Sequence, residues 1–338
     1  MRRAAPLLLV LLGGCARGGI QSAEGRDGVQ GALIGSLFDV FLWVTGAVYV
    51  FVMAYLAVAI LRGRRHRQIN AGWQGDVPAK VEKGWTTALV AFASVTAVIL
   101  FGLAIATWLT DRGLAPSAKA APLEVQVIGH QWWWEVRYED ATAARELRTA
   151  NELHIPVGRT VHITLSSPDV IHSLWIPNLA GKQDLIPGRE TDLTITAKHP
   201  GRFRSQCAEY CGLQHAHMAL DVIADTPVQF ATWYEAGLKA PAAPTGGAAF
   251  AGYTLFQGRQ CSSCHNVAGT PASGQVAPDL SHVASRLTIA AGTLPTTPAN
   301  LQAWVADPQK IKPGNNMPKV PLNASELAAV TAYLETLK

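Results

Sequence analysis

The stretch from Ser205 to Met218, SQCAEYCGLQHAHM, places two cysteines, two histidines, a glutamate and a methionine within fourteen positions. Cys207, Cys211, His215 and Met218 follow the spacing C-x3-C-x3-H-x2-M. Thiolates and imidazoles serve copper and zinc alike, whereas a thioether selects copper. A loop wraps such a set around one centre. Upstream, His172 stands in DVIHSLWIP, at the end of an expected strand from which a second imidazole reaches the same centre. Three other readings of the cysteines compete. A disulfide leaves His215 and Met218 unexplained. Structural zinc leaves Met218 unexplained. The C-x3-C of a thioredoxin-class copper-delivery protein requires alternating strands and helices around the motif.

The sequence around the stretch argues for strands. Residues 123 to 226 carry no helical period. Apolar residues alternate instead at Val125 and Val127, at Val161, Ile163 and Leu165, and at Leu193 and Ile195. Turn signals separate the runs: Pro156-Val157-Gly158, Pro187-Gly188 and Pro200-Gly201. Short strands at this spacing predict a β-sandwich or Greek-key barrel whose ligands come from loops at one end. GHQWWWEVRY, residues 129–138, adds three adjacent tryptophans. In a strand, Trp132 and Trp134 point one way and Trp133 the other. The plainer readings are an interfacial aromatic belt or simple core filling.

A second dense cluster is CSSCH, residues 261–265. C-x-x-C-H is the signature of covalent haem attachment, with Cys261 and Cys264 on the haem and His265 on the iron. A bare CxxC is redox-active or binds zinc; the adjoining histidine favours haem. Methionine opposite histidine suits electron transfer. The chain has four methionines: Met1 in the leader, Met53 in an apolar run, Met218 in the first cluster, and Met317 in PGNNMPKV. Met317 is therefore the expected sixth ligand, against the plainer reading of a loop residue packed on a core. KAPAAPTGGAA, residues 239–249, is a linker, stiff at its prolines and flexible at its glycines. Beyond it, Thr297-Pro298 starts a helix running to about Val305, and Asn323 with Glu326 caps another. Residues 250–338 then form a compact all-α domain.

The N-terminus reads as a membrane-targeting segment. Arg2 and Arg3 precede the short apolar run Leu7–Leu12, which predicts a signal peptide over 1–14, too short to span a bilayer. Leu12-Gly13-Gly14-Cys15 resembles a bacterial lipobox, which implies cleavage before Cys15 and lipid on its sulfur. Ordinary small-residue cleavage beside an incidental cysteine is the alternative. After an outer segment 15–36, the uncharged run 40–61 and the apolar run 85–110 predict a two-helix hairpin over 37–110. The loop 62–84 holds Arg62, Arg64, Arg65, Arg67, Lys80 and Lys83 against Asp76 and Glu82, which places it in the cytoplasm and everything after Asp111 outside. Asp39 is expected at the start of the first helix.

The whole chain has 338 residues, enough for two or three domains. It is 49% hydrophobic and 15% charged, which is apolar for a soluble protein. A net charge of +4 without a basic-aromatic patch gives no reason to expect nucleic acid. The five cysteines, at 15, 207, 211, 261 and 264, make a poor disulfide framework.

DVIHSLWIP, DLIPGRETDL and QCAEYCGLQHAHM together resemble subunit II of cytochrome c oxidase, over roughly residues 30–226. PGNNMPKV resembles the methionine loop of class I cytochromes c, and Pro278, in APDL, resembles their proline near the proximal histidine. The full chain thus resembles a caa-type haem-copper oxidase subunit II with its cytochrome c fused on. The resemblance implies a membrane helical hairpin, an all-β cupredoxin-like Greek-key domain over 120–238 and an all-α class I cytochrome c domain over 250–338. It implies a dinuclear CuA centre of two copper ions bridged by Cys207 and Cys211, with His172, His215, Met218 and the Glu209 carbonyl as terminal ligands. The Glu209 carboxylate would share a magnesium ion with the catalytic subunit, and Trp132 would be the surface ring through which electrons enter. Haem c would be held by Cys261, Cys264, His265 and Met317. Implied partners are the catalytic subunit I and other oxidase subunits, an external donor such as cytochrome c or a bc-type complex, and membrane lipid. The implied location is the bacterial inner membrane, multi-pass, with both redox domains on the outer side. The expected function is electron entry: from the donor to haem c, to CuA, then to the subunit that reduces dioxygen with proton translocation.

Charge agrees with docking between the two outer domains. Residues 123–239 hold ten Lys or Arg against fourteen Asp or Glu, a net of −4; residues 250–338 hold six against four, a net of +2. A short linker then gives a local concentration on the order of mM, and the haem domain is expected to dock in cis near Trp132. Two other classes remain. A copper-delivery or assembly protein carrying a cytochrome predicts single, reversible copper binding. A nitrous-oxide-class reductase requires a large catalytic domain in the same chain. A quinol oxidase subunit shares the fold but lacks the copper ligands.

Overall fold

The computed structural model describes residues 18–66, 79–114, 122–139, 142 and 145–338. The expected signal peptide, Cys15 and most of the basic loop lie outside the described residues. The chain divides into a helical unit, Leu33–Pro116, and a larger unit made of the N-terminal segment to Ala32 and Ser117–Lys338.

Two long helices dominate the first unit: α1 (Val29–His66) and α2 (Ala79–Leu114). Each is longer than the about 20 residues that cross a bilayer, and both are apolar enough to do so. Their large side chains, among them Trp43, Tyr49, Val50, Leu89, Val98 and Phe101, point outward. A helix apolar all round is built for hydrocarbon. The threonines fit that surroundings, because Thr45, Thr107 and Thr110 donate their hydroxyls to the carbonyls of Phe41, Leu103 and Ala106. α1 starts at Val29, well before its charge-free run, so Asp39 lies inside the helix rather than at its start.

Ahead of α1, residues 19–31 lie along the β-domain. Asn178 Oδ1 accepts from Ser22 N, and Asn178 O accepts from Asp27 and Gly28 N. Lys198 N donates to Asp27 O, and Arg204 N to Ile20 O. At Gly28 a Cβ would overlap the Leu179 carbonyl, so only glycine permits this approach.

The β-domain is a sandwich. One sheet runs β3 (Leu147–Ala150), β2 (Trp133–Tyr138), β1 (Leu123–His130), β5 (Val161–Ser166), β8 (Thr191–Ile195). The other runs β4 (Glu152–Pro156), β10 (Ala219–Asp225), β9 (Gly201–Cys207), β6 (His172–Trp175), β7 (Lys182–Leu185). The expected alternation is observed: β1 and β5 bury every second residue, and Val125, Val127, Val161, Ile163, Leu165 and Ile195 meet in one core. β1 pairs with β5 in parallel and with β2 antiparallel, as a Greek-key crossover requires. The turn glycine Gly188, φ 74°, takes a left-handed conformation. After the sandwich, α3 (Pro227–Gly237) is capped by Thr226 and Gln229 in a reciprocal capping box.

The last domain is helical. α4 (Gly247–Gly258) starts within the predicted linker and crosses α8 (Ala324–Leu334). Between them lie the one-turn α5 (Cys261–Cys264), α6 (Pro298–Ala306) and α7 (Pro308–Ile311). The predicted caps hold: Thr297 accepts from Asn300 N, and Asn323 forms a capping box with Glu326. A two-residue hairpin, β11 (Thr288–Ile289) with β12 (Leu294–Pro295), interrupts the all-α expectation. Phe256, Val267, Leu301, Val330 and Tyr333 form its separate core.

Candidate functional site

β6 and β9 pair antiparallel with Leu174 opposite Cys207. That register brings His172, at the start of β6, to the end of β9. The chain then leaves the sheet through residues 208–218 and returns as β10. Backbone bonds close this loop: Cys207 N donates to Met218 O, and Ala208 N to Ser173 O. His215–His217 form a single 3-10 turn within it.

Five side chains and one carbonyl converge. Cys207 Sγ lies 3.8 Å from Cys211 Sγ, 3.9 Å from His172 Nδ1 and 3.2 Å from Glu209 O. Cys211 Sγ lies 3.7 Å from His215 Nδ1 and 3.8 Å from Met218 Sδ. The sulfurs are free thiols far beyond the about 2.05 Å of a disulfide bond, which removes the disulfide reading. The motif lies between β9 and β10 with only a single 3-10 turn, not an α-helix, following it, which removes the thioredoxin-class reading. Two thiols, two imidazoles and a thioether in one cluster, buried except for the half-exposed His215, are the donor chemistry of copper rather than zinc. The residues present therefore fit copper.

Neighbouring groups hold these donors in place. Asp169 Oδ1 accepts from His172 Nε2 at 2.9 Å, which leaves Nδ1 facing the sulfur. Burial opposes the charge on Asp169, but His172 and the backbone N–H groups of Val170 and Gln131 hold its pKa down to about 2. The two thiols titrate as a pair: the contact with Cys211 pulls Cys207 down, and Cys211 is pushed up in return. Sequence reasoning missed Asp169, although an acidic residue three positions before a candidate ligand histidine is a usable signal.

The tryptophans divide differently from the strand expectation. The β1–β2 hairpin turns at Gln131-Trp132, so Trp132 lies in the turn and only Trp133 and Trp134 lie in β2. Trp134 is fully buried, edge-on to His172 at 6.0 Å between ring centres. Trp133 stacks on His130 at 4.3 Å. Trp132 is 8% exposed, not the surface ring expected, and its Nε1 donates to Cys211 O at 2.9 Å. Gln131 Nε2 donates to the same carbonyl at 2.7 Å. Glu209 is half-buried with its carboxylate turned onto its own loop, where Oε1 accepts from Tyr210 N.

In the helical domain, His265 follows α5 directly. Its Nδ1 donates to Pro278 O at 2.8 Å, which frees Nε2 as a lone pair. Burial lowers the His265 pKa and keeps the ring neutral. Ala277 N donates to Cys264 O, and Gly274 packs so closely on the motif that a Cβ would meet the Ser263 and Cys264 backbones. Met317 N donates to Asn315 Oδ1, and Met317 O accepts from Gln309 Nε2, both at 2.8 Å. Arg286 is buried, and its Nε has no hydrogen-bond partner among the described residues. An attachment pair, an oriented imidazole, a pinned methionine loop and a buried donor suited to a carboxylate all fit haem.

The two outer domains touch along two seams. Near Trp132, Lys312 Nζ donates to Trp132 O at 2.8 Å, Asn316 Nδ2 to Gln131 O at 3.0 Å and Gln214 Nε2 to Pro313 O at 2.7 Å. Farther off, Thr288 Oγ1 donates to Asp221 Oδ2, Leu287 N to Glu152 Oε2, Arg204 Nη1 to Gly292 O and Ala219 N to Ala291 O. A cavity of about 290 Å³ opens between the domains beside Trp133, Glu135, Asn266 and Asp279.

Comparison with known proteins bears on both domains. Residues 140–225 match the family model of the cytochrome c oxidase subunit II periplasmic domain, and residues 249–338 match that of cytochrome c. The chain is 30% identical over 337 residues to cytochrome c oxidase subunit 2 of Alkalihalophilus pseudofirmus, covering 98% of this chain and 95% of that one. This chain belongs to the cytochrome c oxidase subunit 2 family. It is also 31% identical over 295 residues to the Bacillus subtilis subunit 2, covering 81% and 80% of the two chains. The periplasmic domain of subunit II from Bradyrhizobium japonicum matches at 28% identity and a TM-score of 0.33, covering 36% of this chain and 96% of that one. Membership makes the chain a membrane-bound oxidoreductase subunit with an electron-transfer role in an oxidase, its subunit II domain implying CuA copper and its cytochrome c domain haem.

Proposed function

We propose that this chain is the electron-entry subunit of a terminal respiratory oxidase, relaying electrons from an external donor through its haem domain and its β-domain to subunit I. When bound, haem c and a dinuclear CuA centre would supply one-electron redox chemistry, and the electrons would leave for the catalytic subunit, where dioxygen is reduced to water with proton translocation. The observation that carries this reading is the convergence of His172, Cys207, Cys211, His215, Met218 and the Glu209 carbonyl at one end of the sandwich, beneath a turn on which the haem domain rests.

In this reading Cys207, Cys211, His172, His215, Met218 and the Glu209 carbonyl would hold the two copper ions of CuA. Cys261, Cys264, His265 and Met317 would hold the haem, with the cysteines as its attachment points. Trp132, hydrogen-bonded to the Cys211 carbonyl, lies on the route between the centres. The Glu209 carboxylate is left for a magnesium ion shared with subunit I. The division is signal peptide 1–14, outer segment 15–36, hairpin 37–110, copper domain 120–238, linker 239–249 and haem domain 250–338. Cys15 carries lipid, and both redox domains stand on the periplasmic side of the inner membrane, supported by the basic loop between α1 and α2.

Electron paramagnetic resonance of the oxidised full-length chain tests the reading. Hyperfine structure from one electron shared equally by two coppers is expected beside a low-spin haem signal. A single-copper spectrum would overturn it in favour of copper delivery.

A further inference from the structure

Lys312 lies in KPGNNM, five residues before Met317, and neither ligand set uses it. Its side chain leaves the haem domain and enters the seam. Nζ donates to Trp132 O at 2.8 Å and Ala290 O at 3.2 Å, and the residue is 3% exposed. No carboxylate pairs with it among the described residues. Burial drives its pKa down to about 7. An ammonium without a counter-charge is costly to bury, so this seat calls for a reason beyond attachment. The second seam already supplies attachment, through Asp221, Glu152 and Arg204.

The reason lies in what the seat joins. The two-residue turn Gln131-Trp132 is gripped from both sides. From the β-domain, both of its side chains donate to Cys211 O. From the haem domain, both of its carbonyls accept, from Asn316 and Lys312. The loop that carries Met317 and the loop that carries Cys211 thus meet on one turn. Electron transfer between buried centres falls off exponentially with separation, so a small drift of the methionine loop is felt directly.

We propose that Lys312 is a positioning residue for electron transfer between the two domains, its Nζ donor locking the methionine loop onto the Trp132 turn. This rests on the reading that the domains exchange electrons. The lock makes docking short-ranged. Without it, the loop keeps only the neutral bonds of Asn316 and Gln214 and the general attraction of a −4 domain for a +2 domain, which salt screens.

The test uses the assembled oxidase with Lys312→Met and Lys312→Arg. Haem c is photoreduced and its reoxidation by the copper centre is followed optically, while lysine acylation in the wild type is mapped by mass spectrometry. Lys312→Met is expected to slow transfer by roughly tenfold or more, to make it salt-dependent, and to leave both spectra intact. Lys312→Arg, which keeps charge and donors, retains more of the rate. Lys312 acylates far more slowly than Lys310 or Lys319, which are exposed. An unchanged rate in Lys312→Met overturns the proposal, as does acylation of Lys312 at the rate of Lys319. If Lys312→Met fails to fold, the arginine variant and the acylation map decide. Absence of haem-to-copper transfer in the wild type would instead sink the relay reading itself.

Discussion

Met218 shows how much one residue carries. It is buried, its sulfur is 3.8 Å from Cys211 Sγ, and its carbonyl accepts from Cys207 N. A leucine fills nearly the same volume and keeps the backbone bond, so the fold stays intact. The thioether alone is lost. Met218→Leu is therefore expected to shift the copper absorption and resonance spectra while leaving the haem spectrum as it was. A change in the haem bands instead would mean that the two centres are not separate. Zinc binding offers a second check at this scale, because a thioether site prefers soft copper.

Among the elements, the crossing of α4 and α8 is the tightest contact of the haem domain. A Cβ at Gly252 would overlap the Ala329 carbonyl, and Tyr333 Cβ would lie 2.9 Å away. Tyr333 meets Phe256 and Tyr253 edge-on at 5.5 Å in the same layer. The obstacle is backbone, which cannot rotate away. Gly252→Ala should thus force the helices apart and cost about 1–3 kcal/mol. The haem domain's unfolding midpoint in denaturant should fall, with that of the β-domain unmoved. Equal stability of the variant would show that the crossing relaxes freely.

At the scale of the whole molecule, the second seam is tied to a titrating group. His154 lies between Asp225, at 2.6 Å from Nδ1, and Glu152, at 3.2 Å from Nε2, and it stacks on Trp233 at 4.0 Å. Glu152 also accepts from Leu287 N of the haem domain. Burial lowers the His154 pKa, but the two carboxylates outweigh it and raise the value above 6.5. A raised folded pKa means stabilisation that is complete below the unfolded value and lost as pH climbs through the folded one. The melting temperature of the outer domains should therefore fall as pH rises above about 6.5. His154→Gln should flatten that dependence. An equally steep pH profile in the variant would place the titration elsewhere.

Much of this was legible in the chain before any fold was known. Alternation at Val125, Val127, Val161, Ile163 and Leu165 marks half-buried strands because side chains in a strand alternate faces. CSSCH, the four soft donors of SQCAEYCGLQHAHM and the caps at Thr297 and Asn323 are local, and their chemistry does not depend on distant partners. What lay beyond reach depended on pairing and docking. His172 is marked by its strand-end position, but the β6–β9 register is what brings it to Cys207, thirty-five positions away. Trp132 leaves the strand because the hairpin turns there, and it is buried rather than exposed. Lys312 carries no local signal at all, since its partners, Trp132 and Ala290, are brought to it by the fold. Composition and spacing determine which atoms can bind and which segments can cross a membrane. Tertiary structure alone decides which of those atoms meet, because close contacts between distant residues exist only once the sheets and domains have packed.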